Sequence, residues 1–348
     1  MSYICYPMTY NEKHLQIYLF FLCLLAFSCK QDTKPDVSHI NLNLKIERFD
    51  QDLYKGKSME LTQSDAFLRK KYGLFYQDYV SRIVGNPDHS SLDILQLLYS
   101  DQAYTDLNRE VDSVYKDLKP VETELNQAFK YVRYYYPTAR VPRFIAFLSG
   151  FEVQTPIGES YMGIGLDMFL GKDSKFYRAI VQSVPMYLSR RFSREYIVPR
   201  TVETYAREEL FPEKDEDRSL LSKMVYHGKI LYFMDQVLAD GVPDSVKIGY
   251  TTKQMGWCKA YEGEIWGYYL QNELLFETDY QKIQVLLNEG PFTPGLGEKN
   301  SSAPKIGIWT GWQIVRKYMK ENPKVTLQEL MKEEDPQKIL NGSKYKPQ

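Results

Sequence analysis

The amino-acid sequence predicts an α+β protein, mainly helical, in which a single large domain surrounds a small sheet. Three observations lead to this class. Two apolar runs, RFIAFLSGF at 143–151 and YMGIGLDMFLG at 161–171, are rich in aromatic and aliphatic residues, with Pro and Gly near their ends, as in strands. Long stretches on either side carry apolar residues at helical spacing instead. Beyond an N-terminal targeting segment roughly 310 residues remain, long enough to bury a core.

Residues 11–29 read NEKHLQIYLFFLCLLAFSC, a short charged stretch and then a continuous apolar run that ends at Ser28 and Cys29. The run is short for a membrane span, and the polar sequence after it suits a processed leader. Residues 1–28 are therefore expected to be a signal peptide, with Met8 as an alternative start. A cysteine straight after Ala26, Phe27 and Ser28 resembles the lipobox of bacterial lipoproteins, although Phe27 departs from the usual pattern. That resemblance implies cleavage before Cys29, its acylation with palmitate-type chains, and attachment to a membrane through the lipid. A non-cleaved anchor is the alternative, and both arrangements put the domain outside the cytoplasm. Of the four cysteines, Cys5 and Cys23 fall in or before the leader and Cys29 is the lipid site. Cys258 is left alone, so no internal disulfide is expected.

Residues 29–40 follow as a lipidated cysteine and polar tether with Pro35, and the domain proper is expected over 41–340. It opens with NLNLKIERFDQDLY, where Leu42, Leu44 and Ile46 alternate as in a strand before Phe49 and Leu53 shift to a helical period. Glu47, Arg48 and Asp50 form a charged cluster that pins the strand end. Helices are predicted over 62–82, 91–118 and 120–136. The last ends at Pro137 and gathers Tyr131, Tyr134 and Tyr135 on one side, to pack on the sheet or to serve as a contact surface.

In YMGIGLDMFLG, Met162, Ile164, Leu166, Met168 and Leu170 share one face of a predicted strand, and Gly163, Gly165 and Asp167 share the other. A small polar face suits an edge strand lining a groove, or an edge under a covering loop. A helix is predicted from Val198 and Pro199, burying Val202, Tyr205, Ala206 and Leu210 and stopping at Pro212. A second, with Ser219 as cap, buries the stripe Leu220, Met224, His227, Leu231, Met234 and Leu238. VKIGY at 246–250 then reads as a strand, and 253–275 and 279–288 as helices. The run EGPFTPGLGEKNSSAPK is a long loop that wraps a surface or covers a site. IGIWTGWQIVRKYMKE turns Trp312, Val315 and Met319 inward, Thr326 and Glu329 form a capping box, and 341–348 is expected as a loose tail.

Composition narrows the function. With 44 basic against 45 acidic residues there is no electrostatic footprint for nucleic acid. No Walker A loop or dinucleotide fingerprint is present, so no nucleotide or other cofactor is implied. A zinc hydrolase needs two histidines one helical turn apart and a carboxylate base, but HExxH is absent and the histidines are His14, His39, His89 and His227 alone. GxSxG is absent as well. The residues left as a candidate binding groove are Gly163, Gly165 and Asp167 on the strand edge, the basic group Arg190, Arg191 and Arg194, and Glu203, Arg207 and His227 on the two helices. A glycine edge would accept an extended peptide by strand addition. The arginines would take a carboxylate or acidic partner, or form a solvated turn. His227 is either packed in the core or functional, and the 29 tyrosines suit interfaces as well as half-buried cores.

Several long blocks in fixed order, among them KIERFDQDLY (45–54), MGIGLDMFLG (162–171), RRFSREYIVP (190–199), HGKILYFMD (227–235), WCKAYEGEIWGYYLQNELLFETDYQKI (257–283) and PFTPGLGEKNSSAPKIGIWTGWQIVRKYM (291–319), resemble the gliding motility lipoprotein GldB family of the Bacteroidetes. The resemblance implies a lipid-anchored envelope protein of the gliding and type IX secretion machinery, facing the periplasm, with the membrane and other envelope proteins as partners and a non-catalytic scaffold or assembly role. The layout also resembles a zincin-like peptidase fold without its metal motif. In that alignment 196–210 is the first helix, bearing Arg200, Glu203, Arg207 and Glu208 but no histidine, and His227 stands where related proteins often have Glu before Gly. The alternatives are an unusual or degenerate metallopeptidase and a periplasmic peptide-binding module.

Overall fold

The first strand, β1 (Ile46–Arg48), is only three residues long, and the amides on its outer side are claimed by side chains. Leu44 N–H donates to Asn126 Oδ1 at 3.1 Å and Ile46 N–H to Glu122 Oε1 at 2.9 Å. Residues 42–45, where the alternation begins, are not paired as strand. In this computed structural model, residues 34–214, 216–298 and 301–347 are described. The expected signal segment and Cys29 lie outside them. Residues from Val37 onward form one unit.

After β1 come α1 (Phe49–Gly56), α2 (Leu61–Tyr72), α3 (Leu74–Asp78), α4 (Ser91–Ser100), α5 (Gln102–Val114) and α6 (Lys119–Tyr135). The helix expected over 62–82 is broken at Gly73, whose φ of 55° lies in the left-handed region, and α3 continues into a widened π-type turn at Tyr79–Ile83. The one expected over 91–118 is divided at Asp101, whose carboxylate caps α5 by accepting from Tyr104 N–H at 3.1 Å. Tyr134 is exposed, whereas Tyr131 and Tyr135 are partly buried against the larger core, with the Tyr135 hydroxyl 3.5 Å from Gln236 Oε1.

Strands β2 (Arg143–Phe147) and β3 (Tyr161–Gly165) complete a parallel sheet of order β1-β2-β3, with Ile46 opposite Phe144 and Phe144 opposite Met162. Both faces are covered, as parallel sheets require. Phe144, Ala146, Met162 and Ile164 enter the larger core. Ile145, Phe147 and Tyr161 face an aromatic cluster centred on Phe49, whose ring meets Tyr72 and Phe75 edge-on at 4.9 and 5.0 Å. β3 stops at Gly165, earlier than its alternation predicts, and Leu166–Phe169 coil into a 3-10 turn. The cause is Asp167, whose buried carboxylate accepts from Ser149 N–H, Ser149 O–H and Phe151 N–H at 2.8–3.0 Å.

Short helices α7 (Lys175–Ala179) and α8 (Met186–Ser189) lead to α9 (Ile197–Tyr205), which widens at Ala206–Leu210, and to α10 (Leu220–Val237). Ser219 caps α10 through Ser222 N–H, as expected. VKIGY is not a strand. Asp244–Ile248 coil into α11 between Pro243 and the left-handed Gly249, and Lys247 reaches Asp235 at 2.7 Å. The helical stretch after it is split into α12 (Thr252–Ala260) and α13 (Glu262–Gln271), followed by α14 (Tyr280–Leu287), α15 (Ile306–Glu321), α16 (Leu327–Lys332) and α17 (Pro336–Ser343). Thr326 and Glu329 form the expected capping box. The tail is not loose through its first residues. Tyr345 is buried, edge-on to Trp266 at 5.2 Å, and its hydroxyl donates to Glu262 at 2.8 Å.

The closest helix packing is between α10 and α15. A Cβ on Gly228 would fall 2.3 Å from the Gly311 carbonyl oxygen, and one on Gly311 would fall 1.8 Å from that of Met224. A methyl at either site gains about 1 kcal/mol of helix propensity but meets backbone that cannot rotate away, and overpacking of that kind costs about 1–3 kcal/mol or more. Gly228→Ala and Gly311→Ala are therefore expected to lower the melting temperature. Gly256→Ala and Gly267→Ala, where the added Cβ meets nothing within 4 Å, are expected to raise stability by about 0.5–1 kcal/mol. Thermal melts of the four variants check both directions, and a Gly311→Ala protein as stable as the parent would refute the close-approach account.

Candidate functional site

The outer edge of β3 is already paired. Gly163 N–H donates to the Pro156 carbonyl at 2.7 Å and Gly165 N–H to the Gln154 carbonyl at 2.8 Å, so residues 153–158 run along the strand as a strap. A Cβ on Gly165 would lie 2.5 Å from the Val153 carbonyl oxygen, and one on Gly163 would lie 2.7 Å from the Phe147 ring. Thr155 in the strap bonds Thr204 of α9 at 2.7 Å. Of the two arrangements expected for this edge, the covered one is found. The open strand-addition groove is absent because the chain occupies it. Asp167, expected on the groove face, is fully buried and holds the 149–151 turn. Burial pushes its carboxyl above the ordinary range despite three donors.

The arginines do not form one patch. Arg190 Nη2 donates to the Gly249 carbonyl at 3.1 Å, Arg191 Nη1 to Glu289 Oε1 at 2.7 Å, and Arg194 Nη2 to Glu124 Oε1 at 2.8 Å. Their spacing in sequence spreads them around a turn, and each finds a different partner.

Arg207 and His227 do come together, and Glu203 does not join them; the polar groups of all three are spent on neighbours. Glu203 is paired with Arg200, one turn earlier on α9, and Arg200 also donates to the Lys247 carbonyl. Arg207 Nη1 lies 2.9 Å from His227 Nδ1. A guanidinium only donates, so Nδ1 accepts and the imidazole proton is on Nε2. Burial, with Arg207, Lys305 and Lys223 nearby, pushes the His227 pKa down to about 3. The ring is neutral through the physiological range, and its Nδ1 lone pair is not free for a proton or a metal. Glu208 is exposed to solvent. Among the described residues no group of three or more His, Cys, Asp or Glu side chains is placed to hold a metal ion, and the arginine on His227 does not fit one.

One buried group of charges was not legible as a motif. Glu289 and Lys305, at the two ends of the long Gly/Pro/Ser loop, are joined by an ion pair that Arg191 shares. Lys305 is buried, with φ of 41°, and the loop is closed on itself by Thr293 and Ser302, whose main-chain and hydroxyl groups bond at 2.8–3.0 Å. Burial drives the Lys305 ammonium down to about 8, partly offset by Glu289. Burial would raise the Glu289 carboxyl, but Lys305 and Arg191 outweigh it and hold it down to about 2. One carboxylate thus serves two cations. Nothing periodic marks either residue in the sequence, since the loop has no repeating face.

A family model described as gliding motility protein GldB matches residues 30–347. No curated protein and no solved structure matches.

A carboxyl whose pKa is depressed on folding contributes stability that is present above its unfolded value and is lost as pH falls toward the folded one. For Glu289 that window runs from its ordinary 4.5 down to about 2. Asp244, lowered by Arg316 against its burial, loses its contribution in the same direction. Glu289→Gln is expected to lower stability near pH 7 by on the order of 2 kcal/mol and to flatten the decline between pH 5 and 2. Urea melts across that range are the measurement, and an unchanged acid limb would remove Glu289 from the account.

Proposed function

The chain belongs to the gliding motility protein GldB family, and from that premise we propose that it is a lipid-anchored envelope protein that works by assembly rather than by chemistry. In this reading Cys29 carries the lipid, the domain faces the periplasm, and its partners are other proteins of the gliding and type IX secretion machinery. The observation that supports it most is the pairing at α9 and α10. The histidine lone pair that a hydrolase would keep for a metal or a proton is bonded by Arg207, and the Glu203 carboxylate is bonded by Arg200. Hydrolytic chemistry needs such groups free and aimed at a substrate.

No helix among the described residues is long and apolar enough to cross a membrane, which suits attachment through a lipid at Cys29. The mature domain has no disulfide to rely on, and the free Cys258 is buried. Its thiol is pushed up to about 12 by burial, so it is not a reactive nucleophile.

Cys29→Ser is expected to move the full chain out of the membrane fraction of the native host, followed by immunoblotting, while the domain stays folded. Crosslinking in intact cells is expected to join the wild-type chain to envelope components of the secretion machinery. Elemental analysis of protein purified without chelator or affinity metal is expected to find no stoichiometric metal. About one zinc per chain would overturn the non-catalytic reading and make Glu203, Glu208 and His227 the first residues to substitute.

A further inference from the structure

The way the chain enters the domain bears on which side of it meets a membrane. Val37 is already buried, and it stands eight positions after Cys29. Eight extended residues span at most about 28 Å, less than the thickness of a bilayer with its headgroups, so the domain lies close against whatever holds Cys29. From Leu44 to Ile46 the chain runs beside α6 in the opposite direction, since Ile46 bonds Glu122 while Leu44 bonds Asn126, one turn further on. Followed back toward Cys29, it heads for the C-terminal end of α6. That end is cationic. Between Glu124 and Glu152 the sequence has no acidic residue, whereas Lys130, Arg133, Arg140 and Arg143 fall there. Arg143 is matched by Glu47. The other three have no carboxylate partner among the described residues: Arg133 donates to the Pro137 carbonyl at 2.7 Å, Lys130 is half-buried and Arg140 is exposed. Tyr134, next to Arg133, is exposed with its ring edge-on to Tyr135 at 5.1 Å. Against these cations stands Glu209, an exposed carboxylate on the turn after α9 whose charge, like that of Arg133, reaches the Tyr205 hydroxyl. That hydroxyl donates to the Arg140 carbonyl, which ties the groups to one surface.

Unmatched cations beside an exposed phenol suit the surface of an anionic bilayer. The charges are drawn to the headgroups, and a tyrosine ring sits well at the boundary between headgroup and acyl chain. An acidic protein would answer the cations too, but it gives no reason for them to lie where the anchored chain leads. We propose that the C-terminal end of α6 and the turn at 137–140 form the membrane-facing surface of the domain, with Lys130, Arg133 and Arg140 on anionic headgroups and Tyr134 at the interface. The proposal rests on the lipid at Cys29, which brings this end within reach of the bilayer. The cations then fix the orientation, and the N-terminal end of α6 points away from the membrane.

The test uses the full chain, purified with its lipid from native membranes and floated with vesicles of phosphatidylethanolamine and phosphatidylglycerol. A nitrobenzoxadiazole label is placed on Tyr134→Cys and, in a second protein, on Lys116→Cys, an exposed position before the other end of α6 and about 25 Å away along the helix. The label is confined to these sites because Cys258 is buried and the Cys29 thiol is acylated. A lipid with a nitroxide on its headgroup is expected to quench the label at 134 and not the one at 116. Exchanging phosphatidylglycerol for phosphatidylcholine is expected to abolish that difference while the protein still floats, because the anionic attraction is lost. Lys130→Gln, Arg133→Gln and Arg140→Gln together are expected to do the same, and the lipid exchange, which alters no residue, carries the test if this triple variant does not fold. Equal quenching at the two sites, no quenching at either on vesicles that carry the protein, or a difference indifferent to lipid and substitutions would overturn the proposal. So would a label at 134 that is unquenched on vesicles but shielded in native membranes, which would assign the surface to a protein partner. Failure of the wild-type chain to float would instead sink the anchor reading, and this proposal with it.

Discussion

The larger core depends on one close approach, the crossing of α10 over α15, where Gly228 and Gly311 leave no room for a side chain. Because those two backbones touch, the residues on either side are placed without choice. Trp312 is fully buried one residue after Gly311, and its indole N–H donates to Asp235 of α10 at 2.9 Å. Arg316, one turn further on, makes two parallel bonds to the same carboxylate at 2.8 Å and lies over the Trp312 ring at 3.7 Å. It reaches Asp244 of α11 as well, at 2.7 Å, so three helices are joined by one guanidinium. Bidentate geometry and a desolvated setting make this a stronger tie than the exposed pairs elsewhere on the surface.

The same economy governs the charges that look functional in sequence. Arg200, Arg207 and Lys305 approach a region where Glu203 and Glu289 are the carboxylates that meet them directly. A buried cation must find an acceptor or give up its charge. Here the acceptors are a main-chain carbonyl and the Glu203 carboxylate for Arg200, a histidine lone pair for Arg207, and the shared Glu289 carboxylate for Lys305. That is why His227 is neutral and Glu289 is firmly ionised.

The closed sheet bears on association with other chains. A sheet edge left open is a template for unplanned pairing, and the strap at 153–158 on one side and Asn126 and Glu122, which accept from Leu44 and Ile46 N–H, on the other close the two edges of this sheet.

Membership of the GldB family, the α+β class, the strands at 143–147 and 161–165, the cap at Ser219, the capping box at Thr326 and the burial of the α10 stripe, His227 excepted, were all legible in the sequence. Each is a local property, set by the alternation or period of apolar residues, by a hydroxyl at a helix start, or by long blocks of residues in order. The candidate site was legible only as a set of residue types. The sequence alone does not show whether the edge at Gly163 and Gly165 is open, because the strap that closes it is folded back by Asp167 and the turn at Ser149. It does not show that Arg190, Arg191 and Arg194 diverge or that Tyr345 is held by Glu262. Those outcomes were decided by partners distant in the chain, and hydrogen bonds and ion pairs between such residues form only once the core has placed them within reach.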